Sequence, residues 1–322
     1  MTLLKTSFLF IAFLLLTANS FAQTPKFVES KMSVSVDTNK LYGTLTMPLS
    51  KDPCAVMLLI AGSGHTDRDG NQPNLRSDAY RQLAEKLAEK GIATLRYDKR
   101  GVGESVFYMN ESDLRFDLYI EDAVRWIDLL KKDKRFAKVV VAGHSEGSLI
   151  GMVASQRSVP NAYISIAGAS RSIDQILKMQ LVAAIPDTTY YILACNYIDT
   201  LKQGKLLTDS HPGLASLFRE SIQPYMINWM KYDPSEEIKK LAIPVCIIQG
   251  ETDIQVGLEN AFELSDANPK AHVKIIKGMN HAMKTAELDR EKNLAAYSDP
   301  TLPVVKDLID QVQTFISVVV MR

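Results

Sequence analysis

The stretch that most constrains this chain runs from Lys138 to Gly151, Lys-Val-Val-Val-Ala-Gly-His-Ser-Glu-Gly-Ser-Leu-Ile-Gly. The β-branched run Val139-Val140-Val141 leads into Gly143-His144-Ser145-Glu146-Gly147, and a helix-compatible segment follows from Ser148 to Ala154. Strand, tight turn and helix with serine at the apex need glycine two positions to either side, because a Cβ there would collide with neighbouring backbone. Such a turn holds the Ser145 hydroxyl clear of the sheet and beside a helix N-terminus, where developing negative charge is stabilised. Ser145 is therefore the candidate nucleophile.

Serine is a poor nucleophile at neutral pH without a positioned base and a group that orients that base. In a parallel sheet such groups are expected beyond the carboxyl ends of strands. Two places after the turn qualify. Asp253 follows the apolar run Pro244 to Gln249 in Gly-Glu-Thr-Asp, and His281 follows Val273 to Ile276 in Gly-Met-Asn-His. Of the five histidines, His144 adjoins the nucleophile and His65 lies on an earlier loop. His211 sits in a helical region, and His272 precedes a strand rather than following one. Glu251 is the nearest competitor to Asp253 for the acid; Asp266 and Asp289 are weaker ones. An oxyanion hole needs two backbone N–H donors, one after the nucleophile and one from a loop that approaches closely. Glu146 and Ser63, the latter within Gly62-Ser63-Gly64 after the run Cys54 to Ile60, are the candidates.

Around these loops the pattern is regular. Met32 to Asp37 and Leu41 to Met47 alternate as an edge hairpin, and Cys54 to Ile60 is a continuous apolar run suited to a strand covered on both faces. Tyr80 to Lys90 reads as a helix stopped by Gly91, followed by a strand at Ile92 to Tyr97. Leu114 to Lys131 is an amphipathic helix, and Ala162 to Ile166 the strand after the elbow helix. Strands alternating with helices predict an α/β protein with a mostly parallel sheet and right-handed crossovers. From Ser170 to Lys240 the alternation stops. Helical patterns at Ile173 to Ala184, Tyr190 to Gln203 and Leu214 to Met230 replace it, punctuated by Pro186, Gly204, Pro212 and Pro234. Strand and helix then resume at Ile243 to Gln249, Gly257 to Ala267, Val273 to Ile276 and Val304 to Val318.

Charge and leader narrow the classes of function. The 37 Lys and Arg balance 37 Asp and Glu, which leaves no basic field for nucleic acid and no polybasic membrane patch. Lys5, the short apolar run Phe8 to Leu16 and the small residues of Ser20-Phe21-Ala22 predict a signal peptide over residues 1–22, cut before Gln23. The mature protein is expected to be exported, periplasmic or secreted. Cys54, Cys195 and Cys246 are an odd number and no disulfide framework, and no Cys/His spacing suggests a metal site.

These motifs together resemble the α/β-hydrolase superfamily, and within it the serine aminopeptidase-like and dienelactone-hydrolase-like esterases. Ala61 to Asn71 (Ala-Gly-Ser-Gly-His-Thr-Asp-Arg-Asp-Gly-Asn) resembles the Gly-Ser-Gly-Pro-x-Asp-Arg-Asp loop of those enzymes, with His65 where proline is usual. Tyr97 to Ser105 resembles their Asp-x-Arg-Gly-x-Gly-x-Ser turn, and the order Ser145, Asp253, His281 is theirs too. The resemblance implies an eight-stranded, mostly parallel sheet with helices on both faces and a helical lid between strands six and seven. The core would be 23–169 and 241–322, and the lid 170–240. It also implies a carboxylesterase-type serine hydrolase with no cofactor, acting on a small-molecule ester of short to medium acyl chain. A serine aminopeptidase or amidase acting on a short peptide is the alternative, and a non-catalytic ligand-binding member the third reading. Asp67, Arg68, Asp69, Asp98 and Arg100 are expected to hold their loops by ion pairs, and the Glu146 carboxylate to sit at its helix N-terminus. Met179, Tyr190, Tyr191, Phe218, Tyr225, Met226, Trp229 and Met230 are expected to pack the lid on the body or line an acyl pocket.

Overall fold

The computed structural model describes residues 26–320, so the expected leader lies outside the described residues. The chain begins with a hairpin, β1 (Phe27–Val36) and β2 (Asn39–Pro48), paired antiparallel along its length. Then follow β3 (Cys54–Ile60), α1 (Ala79–Glu89), β4 (Ile92–Tyr97), α2 (Phe116–Lys132), β5 (Phe136–His144), α3 (Glu146–Arg157) and β6 (Ala162–Ile166). Helices α4 (Ile173–Ala184), α5 (Thr188–Lys202), α6 (Ala215–Phe218), α7 (Gln223–Trp229) and α8 (Pro234–Lys239) separate β6 from β7 (Val245–Gly250). The chain closes with α9 (Leu258–Ala267), β8 (His272–Ile276), α10 (Arg290–Ala295) and α11 (Lys306–Val320).

The eight strands form one sheet in the order β1-β2-β4-β3-β5-β6-β7-β8, parallel from β4 to β8. Strands β3, β5 and β6 lie in its centre, which is why their sequences are near-continuous apolar runs. Alternate residues of β3 serve opposite cores. Val56, Leu58 and Ile60 join Val139, Val141, Trp126 and Ile150 under α2 and α3. Met57 and Leu59 join Val140, Leu83, Leu308 and Phe315 under α1 and α11. A Leu, Ile or Phe fully buried in either layer stabilises the fold by roughly 1.5–3 kcal/mol. Because every parallel strand runs the same way, the loops after β3, β4, β5, β7 and β8 gather at one edge of the sheet.

Two sequence expectations in the segment between β6 and β7 need correcting. Leu214 to Met230 is not one helix. It is broken into α6, a short 3-10 turn at Glu220–Ile222 and α7, with Arg219 extended between them (φ −55°, ψ 147°). Pro224 has no N–H and its ring would strike the carbonyl four residues back, so it is tolerated only in a first turn, where α7 places it. Pro234 likewise opens α8 instead of merely interrupting the chain, with the Asp233 side chain accepting from Ser235 N and Glu236 N. The segment is not a detached lobe: Ala194, Ile198, Phe218, Tyr225 and Met226 belong to the same apolar cluster as Leu58 and Trp126.

Candidate active site

Ser145 occupies the apex between β5 and α3 with φ 54° and ψ −121°, a conformation L-residues rarely adopt and one that costs about 1–3 kcal/mol. Its N–H donates to Ile166 O at 2.9 Å, and its carbonyl accepts from Ser148 N at 2.9 Å, so the turn is clamped from both sides. A Cβ on Gly143 would lie 2.1 Å from Gly147 O, and one on Gly147 2.4 Å from Ile60 O. Both positions exclude any side chain, as the spacing predicts.

Asp253 lies just past β7 and is fully buried at its carboxylate. Its Oδ1 accepts from the N–H groups of Gln255 (2.8 Å) and Val256 (2.9 Å), and its Oδ2 from Gln249 Nε2 (3.1 Å) and His281 Nδ1 (2.8 Å). Burial alone would raise its pKa. The His281 ring and the backbone donors outweigh that and hold it below the usual carboxylate range. An ionised carboxylate only accepts, so His281 Nδ1 donates to Asp253, which turns Nε2 into the nitrogen left free for proton transfer. Ser145 and His281 border one cavity, of about 270 Å³, with Ser63 and Gly62 on its wall. The competitor Glu251 is exposed; its Oε2 instead accepts from Gly278 N at 3.1 Å and braces the histidine loop from outside.

A family model described as serine aminopeptidase, S33, matches residues 74–206, a stretch that includes Ser145 and ends before Asp253. The esterase EstD of Thermotoga maritima is 28% identical over 274 residues, covering 80% of this chain but only 62% of its own length. A monoglyceride lipase homolog of monkeypox virus is 23% identical over 270 residues, covering 77% of this chain and 88% of that protein. Among solved structures, Est1E of Butyrivibrio proteoclasticus with bound ferulic acid superposes with a TM-score of 0.61 at 20% identity, covering 90% of this chain and 100% of Est1E. Sheet order, strained serine turn and these matches agree. This chain has the α/β-hydrolase fold.

The fold ties its site loops together through residues that the sequence pattern does not announce. His144 is buried. Its Nε2 lies 2.8 Å from His281 O and its Nδ1 2.8 Å from Tyr80 Oη. A carbonyl can only accept, so Nε2 carries the proton and Tyr80 donates to Nδ1. Tyr80 Oη in turn accepts from Gly62 N at 3.1 Å. One chain of hydrogen bonds thus joins the Ser63 loop, helix α1, the serine turn and the histidine loop. Burial, reinforced by the neighbouring His281 ring, pushes the His144 pKa down to about 3, so this imidazole is neutral. Its position beside the nucleophile was legible; its partners, 64 and 137 residues away, were not.

The loop charges are internal ties, as expected. Arg68 pairs with Asp98 at 2.5 Å, Arg96 with Asp69, and Arg100 with Asp122 at 2.6 Å. The first two, with Thr66 Oγ1 donating to Ser63 O at 2.8 Å, hold the loop that carries His65, and the third ties the loop after β4 to α2. Glu146 stands in the first turn of α3, as expected. Its carboxylate is also buried there, 2.9 Å from Lys99 Nζ and accepting from the Tyr225 hydroxyl of α7, ties that the sequence did not announce. Its backbone N–H opens α3, where no intrahelical acceptor is available.

A second cavity of about 270 Å³ is bounded by Ser145, Leu149, Ile176, Leu177, Met226 and Trp229. A third, of about 460 Å³, lies across the Met226–Trp229 partition, toward Phe107, Tyr119 and Arg219. Phe218 and Met230, by contrast, are packed away from solvent, while Met179 and Tyr190 stay exposed. Among the described residues no cluster of three or more His, Cys, Asp or Glu side chains could hold a metal ion, and no helix is long and apolar enough to cross a membrane.

Proposed function

We propose that this chain is a serine carboxylesterase acting on small esters of short to medium acyl chain. The observation that carries the reading is the strained Ser145 facing the same cavity as His281, whose Nδ1 is bound to a buried, ionised Asp253. In this reading His281 Nε2 takes the Ser145 proton as Oγ attacks the ester carbonyl, and the oxyanion is received by the N–H groups of Ser63 and Glu146. Collapse expels the alcohol, protonated by His281. Water deprotonated by the same imidazole then attacks the acyl-enzyme, releasing the acid and restoring Ser145. The cavity lined by Leu149, Ile176, Leu177, Met226 and Trp229 suits an acyl chain, and the segment α4–α8 acts as its lid. The names of the relatives, an esterase and a monoglyceride lipase homolog, support the same bond.

An aminopeptidase would need a free carboxylate to receive the substrate's ammonium group. Among the described residues the carboxylates bordering these cavities are Glu146, paired with Lys99 and Tyr225, and Glu111, paired with Arg219. Neither is free, which favours ester over aminoacyl substrates. Ser145→Ala is expected to abolish p-nitrophenyl butyrate hydrolysis and fluorophosphonate labelling while the protein stays folded. Full labelling of that variant would refute the assignment, and faster turnover of aminoacyl anilides than of esters by the wild type would move it to the amidase reading.

A further inference from the structure

Lys99 is a buried lysine, 1% exposed, at the carboxyl end of β4. Its Nζ donates to Gly62 O at 2.6 Å and to Glu146 Oε2 at 2.9 Å, and lies 5.0 Å from the centre of the Tyr119 ring. Each oxygen it grips belongs to one half of the oxyanion hole assigned above. Glu146 supplies one donor N–H. The Gly62 carbonyl shares a single peptide plane with the other donor, the N–H of Ser63. The described chain has no cis peptide bond, so in that rigid unit the N–H points opposite to the C=O. Pinning the carbonyl to an ammonium therefore fixes the direction of the Ser63 N–H. The charge on the carbonyl side also polarises the amide and strengthens its N–H as a donor.

We infer that Lys99 is a positioning residue of the oxyanion hole, orienting and polarising the Gly62–Ser63 peptide and holding it in register with Glu146. The Tyr225 hydroxyl, on the other oxygen of Glu146, places one residue of the α4–α8 segment on the same device. This inference rests on the esterase reading, since it acts through donors that only an oxyanion would need.

The test separates positioning from simple charge neutralisation. Lys99→Met alone strands a buried carboxylate and is expected to lower stability. The double variant Lys99→Met/Glu146→Gln removes both charges and keeps similar volumes. If Lys99 only neutralises Glu146, the double variant recovers wild-type turnover. If it sets the peptide, kcat for p-nitrophenyl butyrate stays about 10²-fold low with KM nearly unchanged, in the range of a lost oxyanion donor. Affinity for an alkyl trifluoromethyl ketone, whose adduct on Ser145 carries the oxyanion, falls in parallel. Circular dichroism establishes that each variant is folded before it is assayed. A folded double variant with wild-type kcat and ketone affinity overturns the inference while leaving Ser145 in place. An active Ser145→Ala protein overturns the esterase reading itself.

Discussion

Two lysines are almost wholly buried near this site, and their surroundings differ in kind. Lys99, on the oxyanion side, meets a carboxylate, a carbonyl and an aromatic face. Lys284, on the histidine loop, donates to Gln82 Oε1 at 2.8 Å and to the carbonyl of Leu302. Among the described residues no carboxylate lies within ion-pairing distance of it. Burial therefore dominates, Asp78 and Asp299 oppose it only from a distance, and the Lys284 pKa is pushed down to about 8. Lys99 is locked by an ion pair; Lys284 is held by neutral acceptors. Lys284 also exchanges two hydrogen bonds with Asn280, next to His281, at 2.9 Å each. Those two bonds use the Lys284 backbone, so the loop that carries His281 keeps them whatever the charge on Nζ. The Tyr80–His144 chain is what couples the two sides.

The largest effect is expected where the acid–base side meets chemistry. Asp253→Asn should lower kcat by about 10⁴-fold, because the wrong imidazole tautomer would be held. Glu251→Gln should change it little, since that carboxylate only braces Gly278. Reversal of those two results in steady-state kinetics would reassign the acid. The coupling between the sides comes next. Tyr80→Phe leaves Gly62 N–H and His144 Nδ1 without a partner and should cost roughly 1–3 kcal/mol in urea denaturation, with a smaller drop in kcat than Asp253→Asn. An unchanged midpoint would mean that the two sides are supported independently.

The smallest effect tests the lysine contrast directly. With its folded pKa near 8 and an ordinary value of 10.5, Lys284 binds a proton less readily in the folded chain than in the unfolded one. Folded stability should therefore rise as pH climbs through the window from about 8 to 10.5. Relative to Lys284→Met, the wild type should gain on the order of 1–2 kcal/mol between pH 7.5 and 9.5. A flat difference across that range would show that burial does not depress the Lys284 pKa.

Much of this architecture was readable in the chain. β3, β4 and β6 coincide with the predicted runs, because a strand covered on both faces reads as a short, nearly unbroken apolar run with clear ends. The turn at Ser145 was readable because the two glycines it demands stand at a fixed spacing from the serine, although Gly147 meets Ile60 O of β3. Asp253 and His281 were readable as the polar residues that follow strand ends. The α4–α8 segment was read less well. Its pieces are short, their breaks depend on single prolines, and their burial is decided by α2 and α3 from elsewhere in the chain.

What the sequence alone determined is the local geometry: which serine stands at a strained apex, which strands flank it, and which loops reach that edge of the sheet. Tertiary structure alone decided that a lysine 37 residues from Gly62 and 47 from Glu146 would grip both, and that Tyr225, 79 residues beyond Glu146, would close on the same carboxylate. Those contacts join charged and polar groups across large sequence separations, and such groups carry no periodicity to announce a partner. A buried charge must find a counter-charge or acceptors for its protons, but only the folded chain shows that Lys99 found the first and Lys284 two neutral acceptors.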